Sequence, residues 1–261
     1  MQEKELGRVR AVLFDMDGLL IDSERIYTDV VNEVLRPYGK EQNWEIKSKL
    51  MGKPEREATL TLLSSLWPPR EGDSDDEARG FSRECPFTLD SFLVERNARL
   101  LPAFERVPAM PGAERLVAHL AKHQIPICSN ANKTLFQHFR DRVVCGDDED
   151  VIGRGKPTPD IFLVAAHKRL GLQHTEKGRD FLKGIRHPGK EHDGTFLGSE
   201  KEVLVFEDAL PGVQAGLAAG MRALMQLREL TKNGASVGAH QQLDSLESFQ
   251  PEVWGLPPFE V

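Results

Sequence analysis

The sequence predicts an α/β protein with a doubly wound, Rossmann-like parallel sheet and an inserted α-helical cap domain. Short apolar runs rich in β-branched residues alternate with helical stretches along much of the 261-residue chain. The connection from the first apolar run to the second is several times longer than the dozen or so residues that a parallel crossover requires. That connection therefore has room for a domain of its own.

The core elements are predicted from their apolar patterns. Buried strands are expected at residues 9–14, 125–128, 143–145, 203–206 and 222–227. Helices are expected at residues 113–122, 161–170 and 212–219, the last two closed by Gly171 and Gly220. Strands that alternate with helices indicate a parallel sheet covered on both faces.

The cap is predicted from three helical stretches, residues 24–35, 48–66 and 88–101. Residues 68–79, between the last two, are predicted to be a solvated loop. The domain prediction is a discontinuous core of residues 1–22 and 106–261 with a cap of residues 23–105. A second polar stretch with scattered glycines, residues 173–200, is predicted to be a surface insertion.

Composition excludes several classes of function. The 41 acidic and 34 basic residues give a net charge of -7, so neither a nucleic acid nor a membrane surface is an expected partner. No apolar run approaches the ~20 residues of a membrane span. Cys85, Cys128 and Cys145 lack CxxC spacing, which argues against a zinc site and a disulfide framework. We expect a cytoplasmic monomer.

The strongest chemical signal is DMDG at residues 15–18, where a buried strand ends in two carboxylates. Side chains two positions apart on a strand point the same way, so Asp15 and Asp17 would face one crevice at the carboxyl end of the sheet. Two carboxylates so close repel each other unless a cation or a shared proton relieves them. By itself, however, this motif is often only a polar turn after a strand.

Three further motifs follow in chain order. Ser129 and Asn130 offer a hydroxyl and a backbone N–H after the second strand, Lys156 lies in GKPTPD, and Glu207 and Asp208 end another apolar strand. Alone, a lysine is usually a surface charge, and an acidic pair often only stabilises a helix N-terminus.

Together, in this order, the four motifs resemble those of the haloacid dehalogenase superfamily. The resemblance covers most of the chain, apart from residues 67–85 and 173–200. Stretches such as FDMDGLLIDSERIY, LMGKP and VFEDALPGVQAGLAAGM are similar to the pseudouridine-5'-phosphatase branch in particular. The resemblance implies a Mg²⁺-dependent phosphatase that hydrolyses small phosphate monoesters, such as nucleotide or sugar monophosphates, with pseudouridine 5'-phosphate among the candidates.

The resemblance also implies a role for each motif residue. Asp15 would be the nucleophile that forms an aspartyl-phosphate, and Asp17 the general acid and base. The remaining roles are Mg²⁺ binding by Asp15, the backbone carbonyl of Asp17, Glu207 and Asp208; phosphate binding by Ser129, Asn130 and Lys156; and substrate contact by Lys53.

Two alternatives remain open from the sequence. A sugar phosphomutase shares the four motifs, and a degenerate member would bind a phosphorylated ligand without turnover. The second strand is predicted to be short, so Ser129 is expected to stop short of the layer in which Asp15 and Asp208 end.

Overall fold

The computed structural model describes residues 8–50, 53–129, 139, 142–146, 148–172, 199–226 and 238–260. The chain divides into two compact units, one of Met1–Asp22 with Pro108–Val261 and one of Ser23–Val107. The second unit is inserted between strands of the first, and we call the two units the core and the cap.

The cap is helical. Its helices are α1 (Ser23–Leu35), α2 (Trp44–Leu50), α3 (Glu55–Leu66), α4 (Ser74–Arg79) and α5 (Leu89–Phe104). Apolar side chains such as Val34, Leu63 and Phe92 are buried together between these helices. The sequence predicted one helical stretch over residues 48–66, whereas the structure has two helices, with Pro54 as the N-cap residue of α3. Proline has no N–H to donate and disfavours helix in the residue before it, so the break falls there.

The prediction of a solvated loop at residues 68–79 is confirmed for residues 68–73, which are non-helical and largely exposed. It was wrong for residues 74–79, because α4 forms there and buries a carboxylate. The Asp73 side chain caps α4 by accepting from the backbone N–H groups of Asp75 and Asp76. The Asp76 side chain is fully buried and accepts from Arg70 Nε at 2.9 Å and from the Arg83 N–H at 2.9 Å. The hydrogen bond from Arg70 holds the pKa of the Asp76 carboxyl well below its usual range. A charged sequence can therefore order itself when its carboxylates meet enough donors.

The core sheet is parallel, with strand order β2-β1-β3-β4-β5 among the described residues. Its strands are β1 (Ala11–Phe14), β2 (Ile127–Ser129), β3 (Val203–Glu207), β4 (Arg222–Gln226) and β5 (Gln241–Leu243). β1 and β3 lie in the middle of the sheet and are buried along their whole length. The chain leaves β1 toward β2 on one side and β3 on the other, which makes the carboxyl end of β1 a topological switch point.

The core helices are α6 (Ala113–Lys122), α7 (Asp160–Val164) and α8 (Leu210–Ala218). α7 continues as a π-helical turn, Ala165–Arg169, so the predicted helix at residues 161–170 is regular only in its first part. α8 begins before its predicted start because Pro211 occupies the first turn of the helix.

Two strand predictions require correction. Residues 143–145 do not form a strand; Val143 is a single bridge residue whose carbonyl accepts from Arg169 Nε at 3.0 Å, and Val144 is buried. The apolar pattern there reported burial rather than strand pairing. Strand β5 was not predicted, since its residues Gln241–Leu243 are mostly polar. Most of the predicted insertion, residues 173–198, lies outside the described residues.

Within the described residues, no helix has the length and apolar character needed to cross a membrane.

We predict that Asp76→Asn lowers the melting temperature at pH 7 by several degrees. An asparagine would turn an amide N–H₂ toward donors that now meet a carboxylate, and buried donors without acceptors are costly. Because the pKa of Asp76 is depressed in the folded state, its stabilisation is present above the ordinary aspartate pKa of about 3.9 and is lost as the pH falls below it. The penalty, measured by thermal unfolding, should therefore shrink at pH 3.

The matched control is Asp75→Asn. Asp75 is 69% exposed in its side chain and pairs only with Arg83 on the surface among the contacts described, so its substitution should change the melting temperature little. Equal melting temperatures for the two variants would contradict the role given to Asp76.

Candidate active site

Three carboxylates converge at the carboxyl ends of the two central strands. Phe14 of β1 pairs with Phe206 of β3, and the N–H of Asp15 donates to the Phe206 carbonyl at 3.0 Å. Asp15 and Glu207 therefore leave the sheet side by side, and Asp208 follows. Each of the three offers a carboxylate oxygen, and these oxygens lie within 4.8 Å of one another.

The three carboxylates are strongly shielded from solvent, with relative exposures of 7% for Asp15, 1% for Glu207 and 9% for Asp208. Two like charges at such a separation repel each other by about 3 kcal/mol at an effective dielectric constant of about 20. Carboxylate oxygens are the ligands that hard cations such as Mg²⁺ prefer. The three carboxylates therefore fit a divalent cation. Positive charge from the protein would also reduce the repulsion among them.

Lys156 supplies that positive charge. It lies in the loop that precedes α7, and its Nζ donates to Asp15 Oδ1 and, at 2.5 Å, to Glu207 Oε1. Burial lowers the pKa of Lys156, but the charges of Asp15 and Glu207 outweigh burial, and the pKa is raised above that of an ordinary lysine. Lys156 is therefore a fixed cation that joins two strands of the site.

The ring of Phe162, in α7, packs against the same lysine. The Lys156 Nζ lies 5.3 Å from the centre of the ring, within the range of a cation–π contact. Phe162 is buried. Sequence reasoning assigned no role to this residue, although its position two residues after GKPTPD, in the first turn of the helix that follows the lysine, was a signal.

Glu207 is held at both carboxylate oxygens. Its Oε1 accepts from Lys156, and its Oε2 accepts from the backbone N–H groups of Asp208 and Ala209 at 3.1 and 3.2 Å. The pKa of Glu207 is raised to about 8, first by burial and then by the charge of Asp15, against the opposing effect of Lys156.

Gly212 makes room for this carboxylate. A Cβ atom at Gly212, in the first turns of α8, would overlap the carboxylate of Glu207. The sequence motif ALPGVQAG contains this glycine without showing why a glycine is needed. The structure gives the reason, which is the close approach of the buried Glu207 side chain to the helix backbone.

Asp17 lies on the tight turn that follows β1. Gly18 has a φ of 86°, and its N–H donates to the Ile21 carbonyl at 2.9 Å. The Asp17 side chain is exposed, and its carboxylate is not part of the three-carboxylate group found among the described residues. The structure therefore brings Asp15, Glu207, Asp208 and Lys156 together, with Asp17 beside them in the chain.

The structure places the other predicted site residues, as far as they are described, as follows. Ser129 is the last residue of the three-residue strand β2 and pairs with Phe14, one residue before Asp15. The Ser129 side chain and all of Asn130 lie outside the described residues. Lys53 belongs to the cap, where its Nζ contacts Thr61 Oγ1 and Glu57 Oε1, each at 3.1 Å.

Comparison with known proteins gives a match to one family model over most of the chain. The model described as haloacid dehalogenase-like hydrolase matches residues 9–220. A (DL)-glycerol-3-phosphatase 2 of Arabidopsis thaliana is 37% identical over 97% of this chain and 94% of its own length. A probable pseudouridine-5'-phosphatase of Drosophila melanogaster is 32% identical over 99% of each chain.

Solved structures agree on the fold. A HAD family hydrolase from Deinococcus radiodurans R1 superposes with a TM-score of 0.61 at 23% identity, covering 96% of this chain and 99% of its own. A HAD hydrolase of Entamoeba histolytica gives a TM-score of 0.59 at 20% identity, covering 94% and 97%.

We predict that Gly212→Ala destabilises the protein by about 1–3 kcal/mol, the usual cost of overpacking. Helix propensity alone would make the alanine variant more stable by about 1 kcal/mol. A lower free energy of unfolding, measured by denaturant unfolding, would therefore show that the new methyl group overlaps with Glu207.

Gln214→Ala, on an exposed position of the same helix, is the control for propensity and should be neutral or slightly stabilising. In a Glu207→Ala background the overlap is absent, and Gly212→Ala should then cost less. A Gly212→Ala protein as stable as the parent would show that the Glu207 carboxylate does not occupy this space.

Proposed function

Because the chain belongs to the haloacid dehalogenase-like hydrolases, we propose that it is a Mg²⁺-dependent phosphatase of small phosphate monoesters. The single observation that carries the proposal is the group formed by Asp15, Glu207, Asp208 and Lys156 at the carboxyl ends of β1 and β3. Relatives named as phosphatases of glycerol 3-phosphate and pseudouridine 5'-phosphate support the reaction type.

Asp15 is proposed as the nucleophile. Its carboxylate attacks phosphorus, the bond from phosphorus to the ester oxygen breaks, and the product is an aspartyl-phosphate with release of the alcohol. Water then attacks the phosphorus of this intermediate, inorganic phosphate leaves, and the Asp15 carboxylate is restored. Lys156, which donates to Asp15 Oδ1, orients the carboxylate and offsets negative charge near the transferred group.

Asp17 is proposed as the general acid and base. It would give its proton to the leaving ester oxygen and would later take a proton from the attacking water, so the two steps balance. The exposure of its side chain supports this role, because protons can exchange with solvent between turnovers.

The cation site is proposed to consist of Asp15, Asp208 and the backbone carbonyl of Asp17, with Glu207 beside it. Both carboxylate oxygens of Glu207 already accept hydrogen bonds, which favours a supporting position over direct coordination. When bound, Mg²⁺ would neutralise charge on the phosphate.

The phosphoryl oxygens are proposed to be held by Lys156, the Ser129 hydroxyl and the N–H of Asn130, and Lys53 is proposed as a substrate contact from the cap. The position of Ser129 at the end of β2, beside β1, supports its place in this set. Positioning and charge neutralisation of this kind govern phosphoryl transfer.

We also propose that the protein acts in the cytoplasm as a monomer on phosphorylated metabolites. No disulfide joins Cys85, Cys128 or Cys145, which suits a reducing compartment. A relative that is 38% identical, the (DL)-glycerol-3-phosphatase 1 of Arabidopsis thaliana, is named as a mitochondrial protein. Localisation of a tagged protein would distinguish the two compartments.

We predict that phosphate release requires Mg²⁺. Without a cation the three carboxylates would repel a dianionic substrate, so activity should vanish in a chelator and return when Mg²⁺ exceeds it. Ca²⁺ should not substitute, because it is larger and takes more ligands. A colorimetric assay of inorganic phosphate over nucleotide and sugar monophosphates measures this. Full activity in excess chelator would exclude the metal assignment.

We predict different losses at the two aspartates. Asp15→Asn removes the nucleophile, so neither turnover nor a covalent phosphoenzyme should be detected. Asp17→Asn keeps the nucleophile and should lower turnover by about 10²- to 10⁴-fold. Intact-mass measurement after quenching detects the phosphoenzyme, and Asp75→Asn in the cap serves as the unaffected control. A phosphorylated Asp15→Asn protein would refute the assignment of Asp15.

A further inference from the structure

The ring of Phe162 is an uncharged neighbour of the lysine in the candidate active site. The hydrogen bonds described for Lys156 account for two of the three N–H groups of its Nζ, which donate to Asp15 and Glu207. The third N–H can therefore donate to the phosphoryl oxygen that the proposed function assigns to this lysine. The centre of the Phe162 ring lies 5.3 Å from the same nitrogen.

The loop that carries Lys156 is held at its main chain. Thr158 Oγ1 donates to the Arg154 carbonyl at 2.7 Å, and the Thr158 N–H donates to the Gly155 carbonyl at 3.1 Å. Arg154 Nε lies 3.1 Å from Asp160 Oδ1 and joins the two sides of the loop. These contacts do not fix the end of a lysine side chain, because the ammonium group is carried on a flexible four-carbon stem.

The ring of Phe162 is anchored against the strands of the site. Phe162 is 4% exposed, and together with Phe14 of β1 and Cys128 of β2 it lines a void of only about 10 Å³. Phe14 and Cys128 directly precede Asp15 and Ser129 in the chain. A ring enclosed this tightly has little room to move. It therefore keeps a fixed position relative to the two strands.

A neutral ring can hold a cation in a way that a further carboxylate could not. The face of an aromatic ring is the negative part of its quadrupole, and it attracts an ammonium group within about 6 Å of the ring centre. Because the ring has no net charge, it neither neutralises Lys156 nor repels a dianionic phosphate. The charge of the lysine stays available to the transferred group.

We propose that Phe162 is a positioning residue for phosphoryl transfer, and that the electron density of its ring face holds the ammonium group of Lys156 in place. Phe162 acts through the lysine and does not need to touch the substrate. The inference rests on the proposed phosphatase function. Its effect should fall mainly on kcat, since a well-placed cation matters most when charge develops on the phosphoryl oxygens in the transition state.

The first experiment changes the electron density of the ring and keeps its shape. Mono-, di- and trifluorinated phenylalanine are introduced at position 162 by suppression of a stop codon, because each fluorine withdraws density from the ring face and weakens its attraction for a cation. With Mg²⁺ and the fastest substrate of a panel of nucleotide and sugar monophosphates, kcat should fall stepwise, by about three- to tenfold over the series. KM should change less than kcat.

The matched control is the same fluorinated series at Phe81 in the cap. Phe81 is also buried, and its ring lies 4.8 Å from the guanidinium carbon of Arg79, a cation that has no part in the proposed chemistry. Fluorination there should leave kcat unchanged. An unchanged kcat across the series at position 162, or an equal fall at both positions, overturns the inference and leaves the phosphatase function standing. If the unaltered protein releases phosphate from none of the substrates, the proposed function is refuted and the inference falls with it.

A second experiment removes the ring. Phe162→Leu keeps an apolar side chain without the quadrupole, and its kcat should fall at least as far as that of the trifluorinated protein. Ile161→Leu alters packing around the same void and should keep the parent kcat. Thermal unfolding of each variant separates packing from positioning. A folded Phe162→Leu protein with a lower melting temperature and the parent kcat would show a purely structural role and would overturn the inference. If Phe162→Leu does not fold, the fluorinated series decides.

Discussion

The candidate active site depends on one constraint, the repulsion among three shielded carboxylates at the ends of two adjacent strands. Asp15, Glu207 and Asp208 cannot all be ionised at this spacing without positive charge nearby. Lys156 provides part of that charge by joining Asp15 to Glu207. The same need explains why a divalent cation suits the site, because one lysine does not neutralise three carboxylates.

The surrounding structure holds this charge arrangement in place. Phe162 packs against the lysine, and the backbone N–H groups of Asp208 and Ala209 hold the far oxygen of Glu207. The absence of a side chain at Gly212 lets α8 approach that carboxylate closely. A carboxylate restrained at both oxygens would lose little conformational freedom on binding of a cation or a substrate nearby, which is the general advantage of preorganisation.

The cap also pairs its charges. Lys47 and Lys53, which line a cavity among the cap helices, lie beside the carboxylates of Glu24 and Glu57. The Asp76 carboxylate, also in the cap, is fully buried and accepts hydrogen bonds from Arg70 and Arg83. In both places pairing makes buried charge tolerable.

The sequence by itself determined the α/β class, the inserted helical segment and the strands that carry Asp15 and Glu207, because uninterrupted apolar runs that end in carboxylates report both burial and a strand end. It could not separate burial from pairing at residues 143–145. It also missed α4, whose buried Asp76 is satisfied by Arg70 and Arg83, which lie outside the helix itself. Only the tertiary structure decided that Lys156 reaches both Asp15 and Glu207, that Phe162 packs against Lys156, and that Gly212 leaves room for Glu207. Each of these features depends on side chains that come from separate elements of secondary structure. The residue pattern within one segment does not specify its distance from another segment.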